Sequence, residues 1–249
     1  MKYGYSMPST NPLFPEPPYF YKSNQIINIV FATNPEILRE LVPAPLQPNP
    51  DNIAFIYVGE FNMDVPLKGS YLEAGIGIPV TFKERPGNFM TSLYLNSGQA
   101  IAGGREIWGW PKKDATIDFT STNGTFHTSV IREGTEIIKA SVKVTQQVNP
   151  IPDQSDSPAY NLKIIPSAVK GLPPEIVQLT SAVIVSQKKE LWSGEAALSF
   201  TSSPSDPLGR IPILAILQGG QYVEDMSLDC GEVLYDFLTE NNKERKQKQ

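Results

Sequence analysis

Thr116-Ile117-Asp118-Phe119-Thr120-Ser121-Thr122-Asn123-Gly124-Thr125-Phe126-His127-Thr128-Ser129-Val130-Ile131-Arg132-Glu133-Gly134 alternates apolar and polar side chains on either side of turn residues. Side chains alternate faces along a strand, so this period of two marks half-buried strands at 116–119 and 125–132. Thr122-Asn123-Gly124 and Glu133-Gly134 supply the residues that tolerate a tight turn's positive φ. A further strand, 136–147, follows directly.

Outward from this stretch the pattern repeats. Strands are expected at 24–31, 52–63, 71–82 and 88–96, with a turn at Pro86-Gly87-Asn88. Beyond it they are expected at 160–165, 175–187, 196–200 and 211–218, with a closing segment at 231–238. This is the spacing of an antiparallel meander or barrel, mainly β, and not of alternating βαβ units. Thr33-Asn34-Pro35-Glu36 reads as a helix start, with Leu38, Leu41 and Val42 on one face until Pro43-Ala44-Pro45 stops it, which predicts about two turns. Prolines 8, 12, 15, 17 and 18 make residues 1–19 an irregular arm laid on the surface or on another subunit. The proline-bearing stretch 149–158 is a connecting loop, too short to demand a second domain. We expect one domain over 1–249, ending in a frayed polar tail at 239–249.

Composition excludes several functions. Of 249 residues 40% are hydrophobic and 19% charged, an ordinary globular balance. A net charge of −5 argues against a nucleic-acid partner, and the basic run Lys243 to Lys248 reads as a solvated terminus. No apolar run has the length of a membrane span, and Met1-Lys2-Tyr3-Gly4-Tyr5 has no apolar segment behind its positive charge, so a cytoplasmic location is expected. The one cysteine, Cys230, is expected to be buried, and His127 to be a surface or hydrogen-bond-satisfied strand histidine. With one histidine and one cysteine no multi-histidine or cysteine-rich metal centre can be built, and neither a metal nor an organic cofactor is expected.

The chemistry concentrates in Gly103-Gly104-Arg105-Glu106-Ile107-Trp108-Gly109-Trp110-Pro111-Lys112-Lys113, where two lysines follow an aromatic, glycine-bearing segment. Read alone, Pro111-Lys112-Lys113 is also a common way to leave an element through a solvated turn. An amine attacks only when neutral, and at an ordinary pKa of about 10.4 roughly one lysine in 10³ is neutral at pH 7. Removing water and adding a neighbouring positive charge both lower that value, and burial is the larger effect. Trp108, Trp110, Ile76 and Ile78 are candidates for the apolar wall.

In order along the chain, Pro18-Tyr19, Asn28-Ile29-Val30, Val42-Pro43-Ala44-Pro45-Leu46, Glu73-Ala74-Gly75-Ile76-Gly77-Ile78-Pro79-Val80 and Ala100 to Glu106 lead into Trp110-Pro111-Lys112-Lys113. Leu162 to Pro166, Leu191-Trp192-Ser193-Gly194 and Glu232 to Asp236 follow. In this order the chain, from about Phe14 to Leu238, resembles the acetoacetate decarboxylase family. The resemblance implies that Lys113 forms a Schiff base with Lys112 as its neighbour, and that Glu73 holds or protonates groups around the lysine. It implies a small-molecule oxo acid as substrate, no cofactor, and a closed homo-oligomer, a dodecamer in the family. Arg105 and Trp110 match the family pattern and are placed near the substrate, with a purely structural role as the other reading of Arg105.

Two positions depart from that pattern. The family's arginine before the Asn-Ile-Val segment falls on Asn24. Its second acid falls on Ile56 or Val58, with Glu60 on the same strand face as a substitute. Three readings stay open: decarboxylation of a 3-oxo acid, aldol or dehydratase chemistry on a 2-oxo acid such as pyruvate, and noncatalytic binding of an apolar carbonyl compound.

Overall fold

A computed structural model describes residues 3–149 and 158–239. The linker at 150–157 and the basic tail at 243–248 lie outside the described residues. The sheet comprises β1 (Tyr19–Ala32), β3 (Ile53–Val65), β4 (Gly69–Phe82), β5 (Arg85–Leu95), β7 (Thr116–Thr122), β8 (Thr125–Arg132), β9 (Thr135–Val148), β10 (Ala159–Ile165), β11 (Ile176–Ala182), β12 (Ile184–Phe200), β13 (Ala215–Leu228) and β14 (Glu232–Asp236). Two short strands, β2 (Gln47–Pro48) and β6 (Lys112–Asp114), pair off this path with β4 and β5. The strand order is β14-β11-β10-β5-β4-β3-β1-β13-β12-β9-β8-β7, mostly antiparallel, with β5 running parallel to both β6 and β10. The path does not close, but it curls until β7 packs near β3 and β4. The fold class is the mainly β meander expected, with few and short helices.

The helix at Pro35–Leu41 (α1) forms as the sequence requires: Glu36 N donates to Asn34 Oδ1 at 2.7 Å, and Leu38 is buried. The turns at Asn123-Gly124 and Glu133-Gly134 have positive φ at both positions. Pro86-Gly87-Asn88 is not a turn. The chain reverses earlier, before β5 begins at Arg85, at Lys83 (φ 47°) and Glu84 (φ 67°), which carry no turn signature. Gly87 serves close approach: a Cβ there would lie 2.6 Å from Pro158 O as β10 comes alongside β5. The arm at 3–18 lies on its own chain, where Gln99 Nε2 donates to Leu13 O and Phe14 is buried against Gly103.

Three expectations need correction. The segment 175–187 is two strands, β11 and β12, and β12 continues through Trp192 to Phe200. The strand expected at 211–218 begins at Ala215 and runs to Leu228, past Gly219-Gly220, which lie within the β1 and β12 pairings. Cys230 is exposed, because it sits in the short connection after β13 that no strand face covers. His127 is exposed on β8 as expected.

The strands bury both faces, and this places the site. On β4, Ala74, Ile76, Ile78 and Val80 enter a core with Ile27, Ile29, Ile56, Val58 and Val130. Burying each large aliphatic contributes about 1.5–3 kcal/mol. Glu73, Gly75 and Gly77 occupy the other positions of β4. The missing side chains of Gly75 and Gly77 leave room for the rings of Tyr57 and Phe55, their cross-strand partners, which a Cβ would overlap. That face meets a second core, built from Tyr21, Ile26, Phe61, Tyr71, Leu93 and Trp110 among others. Among the described residues no helix is long and apolar enough to cross a membrane.

Candidate active site

The segment after β5 is shaped to deliver one lysine. Ser97 caps the helix Gly98–Gly103 (α2), which passes into a π-helical turn at Gly104–Trp108. Gly109, at φ 75°, ends that turn in the left-handed region that glycine enters without strain. The chain then returns through Pro111 to β6, where Lys112 pairs beside Leu93 of β5. Arg105 Nη1 donates to Lys112 O at 3.1 Å, bracing the return.

Neighbouring residues of a strand face opposite ways, and the two lysines part accordingly. Lys112 turns inward and is 3% exposed. Its Nζ lies 2.9 Å from Glu73 Oε2, 4.7 Å from the Trp110 ring centroid and 5.9 Å from that of Tyr71. Glu73 is 5% exposed and accepts a second hydrogen bond on Oε1, from Tyr57 OH at 2.6 Å. Burial, followed by the charge of Glu73, pushes the Tyr57 phenol well above its ordinary range, so it stays a donor to that carboxylate. A cavity of about 420 Å³ opens from this cluster, lined by Phe55, Phe61, Met90 and Met226 among others. A smaller one of about 220 Å³ shares Tyr21, Tyr71, Trp110 and Lys112 with it.

Lys113 stands on the opposite side, outside both cavities. Its side chain is 39% exposed, and its Nζ donates to Asp206 Oδ1 at 2.7 Å and to Ser205 O at 2.9 Å. The dry lysine expected at 113 is therefore at 112.

The other expected site residues divide in the same way. Trp110 and Glu73 face the cavity. Trp108 lines the smaller cavity beside Lys112, stacked on Trp110 with ring centroids 5.1 Å apart. Ile76 and Ile78 lie in the core on the opposite face of β4 and form none of the wall. Ile56, Val58 and Glu60 do share one face of β3, but Ile56 and Val58 are in that same opposite core, so Glu60 does not enter the cavity in place of the family acid. The cavity face of β3 carries Phe55, Tyr57 and Phe61. Asn24 is fully buried but lines neither cavity; its Oδ1 accepts from Asn62 N at 2.8 Å and ties β1 to β3. Arg105 holds backbone and lines neither cavity.

Sequence reasoning missed Tyr57, Asp206 and the wall formed by Ser186, Lys188, Tyr222 and Glu224. A signal for the last was present: Tyr222, Glu224, Met226 and Leu228 recur at a period of two.

The family model for Acetoacetate decarboxylase (ADC) matches residues 6–238. The chain belongs to the acetoacetate decarboxylase family. An acetoacetate decarboxylase of Acidiphilium cryptum (strain JF-5) is 33% identical over 240 residues, spanning 94% of this chain and 96% of that one. A solved acetoacetate decarboxylase structure matches with a TM-score of 0.86 at 29% identity, covering 94% of this chain and 96% of that one. The enduracididine biosynthesis enzyme MppR, solved in complex with pyruvate, has a TM-score of 0.83 at 19% identity, covering 95% and 99%, which is a likeness of fold.

In this acetoacetate decarboxylase family member Gly104 is required by space, since its φ of −60° suits any residue. A Cβ there would lie 2.6 Å from Lys112 Cδ and 2.8 Å from Cε. Gly104→Ala is expected to push the lysine stem off Glu73. A displacement near 1 Å at a reacting group costs about 10²-fold in rate. Turnover should fall by about that factor while the melting temperature moves little, and unchanged turnover would show that the stem has room to yield.

Proposed function

We propose that this protein is a cofactor-independent decarboxylase of a 3-oxo acid, with Lys112 as the amine that forms the Schiff base. The observation that carries the reading is the placement of Lys112: dry, in a cavity, and hydrogen-bonded to one carboxylate that is itself fixed by a phenol.

Glu73 Oε2 is positioned to take the proton that Lys112 must shed. The free amine attacks the 3-carbonyl carbon, and loss of water leaves a protonated iminium. The C1–C2 bond then breaks, CO₂ departs, and the bonding pair moves into the iminium as an enamine. Protonation of the enamine carbon and addition of water return the ketone and the free amine. The iminium is a cation in a water-poor site, and Glu73 with the faces of Trp110 and Tyr71 stabilises it there.

A second reading, aldol or dehydratase chemistry on a 2-oxo acid, uses the same iminium. The absence of a second acid on the cavity face of β3 keeps it in view. Manometric CO₂ release from acetoacetate, run beside condensation of pyruvate with an aldehyde, separates the two. Decarboxylation without condensation is expected, and condensation alone would overturn the first reading. Glu73→Gln keeps the shape of the side chain but cannot take a proton. It should lower kcat by about 10²–10⁴-fold, with Lys112 still present for slow adduct formation.

A further inference from the structure

The larger cavity has a second polar end that the chemistry at Lys112 does not use. Four charged residues line it: Glu73 and Lys112, which pair with each other, and Lys188 and Glu224. Ser186 and Lys188 come from one face of β12, and Tyr222 and Glu224 from one face of β13. Lys188 and Glu224 are register partners. Lys188 is exposed at the cavity opening, with its Nζ 5.0 Å from the Tyr222 ring centroid, and among the described residues it makes no ion pair. Glu224 lies deeper, 5% exposed, and accepts a hydrogen bond on Oε2 from Ser186 Oγ.

The two ends are well separated. Glu73, Gly59, Ile26 and Tyr222 are successive register partners across β4, β3, β1 and β13. Three strand steps are about 14 Å along the sheet, and the concave curl shortens the path across the cavity. Phe55, Phe61, Ile26, Met90 and Met226 give the same cavity an apolar lining beside the rings of Tyr21, Tyr57 and Tyr71 and the amide of Asn88. A volume of about 420 Å³ is also far more than a four-carbon acid fills, since one water takes about 30 Å³ in the liquid.

We propose that the substrate is an extended oxo acid with a second, terminal carboxylate, which Lys188 receives at the opening of the cavity. The inference rests on the Schiff-base reading and names its substrate class. Burial raises the Glu224 carboxyl above its ordinary range, against the opposing effects of the Ser186 hydrogen bond and the Lys188 charge. Tyr57 and Tyr222 also face this acid; the pKa of each is raised, by burial first and then by neighbouring carboxylates, so both phenols stay neutral.

A matched pair of substrates tests this: 3-oxooctanedioate and 3-oxooctanoate, identical except at the far end. Each is assayed for CO₂ release and for borohydride trapping. The dioate should show a KM about tenfold lower, as expected for a charge-assisted hydrogen bond near solvent. Lys188→Met should erase that preference by raising the dioate KM alone, and Lys188→Arg should keep it. Equal KM values in the native enzyme, or a Lys188→Met effect equal for both acids, would overturn the inference and leave the Schiff base intact. If neither acid gives an adduct or CO₂, the underlying reading fails, and the inference with it.

Discussion

Lys112→Met is expected to abolish the borohydride-trapped adduct and to lower decarboxylation by at least about 10³-fold, since it removes the amine on which the proposed covalent step depends. Lys113→Met should retain the adduct and most of the rate. The contrast follows from geometry. Lys112 is 3% exposed, its Nζ sits between Glu73 and the Trp110 face, and methionine matches its stem in length while carrying no amine. Lys113 is part-exposed and already hydrogen-bonded to Asp206 and Ser205, with no path into the cavity except by turning β6 over. Peptide mapping of the reduced adduct reads the outcome directly. A label on Lys113, or full trapping in Lys112→Met, would refute the assignment.

Much of the fold was legible because its signals are local. The alternation at 116–132 and the glycine turns at 124 and 134 require no knowledge of the rest of the chain. The Asn34 cap and the proline that follows it likewise determine α1 from within. Lys83-Glu84 was illegible for the converse reason: neither residue favours positive φ, and the turn exists because β4 and β5 must pair on either side of it. The second half of β13 was hidden by Gly219-Gly220, whose tolerance inside a strand depends on what packs above them. At Gly219 a Cβ would lie 3.0 Å from Gly194 O, a tertiary fact.

The site was legible in content and illegible in orientation. Two lysines and a glutamate were identified from the motif, but which lysine faces inward is a question of strand phase. Phase is set by the pairing of β6 with β5 and by the small residue at 104 that lets the stem pass. The same ambiguity misplaced Glu60. Residues 56, 58 and 60 do share a face, yet nothing local says which face of β3 meets the cavity. Once the phase is known, Tyr57 is the polar residue on the correct side, where it holds Glu73.

The phase of β6 also depends on Asp206, in the connection between β12 and β13. Asp206 is buried with its side chain fully covered, and it accepts from Lys113 Nζ and Tyr94 OH on Oδ1 and from Arg132 Nε on Oδ2. Burial alone would raise its carboxyl. The hydrogen bonds from Lys113, Tyr94 and Arg132, with the Lys113 charge, outweigh it and hold the pKa below the ordinary value. Asp206→Ala leaves Arg132 and Lys113 without their carboxylate and the Tyr94 hydroxyl without an acceptor. Breaking a buried ion pair from one side costs about 3–5 kcal/mol, and the partial exposure of Lys113 favours the lower end. At roughly 2–4 °C per kcal/mol for a chain of this size, the melting temperature should drop by about 6–12 °C at pH 7. The sign with pH follows from the lowered pKa: the contribution is complete above the unfolded value near 3.8 and is lost as pH falls through the folded one. Calorimetry should therefore show the gap between native and variant protein closing below about pH 4. A gap that is small at pH 7, or that widens in acid, would mean that the three donors find other partners and that Asp206 does not fix which way the two lysines face.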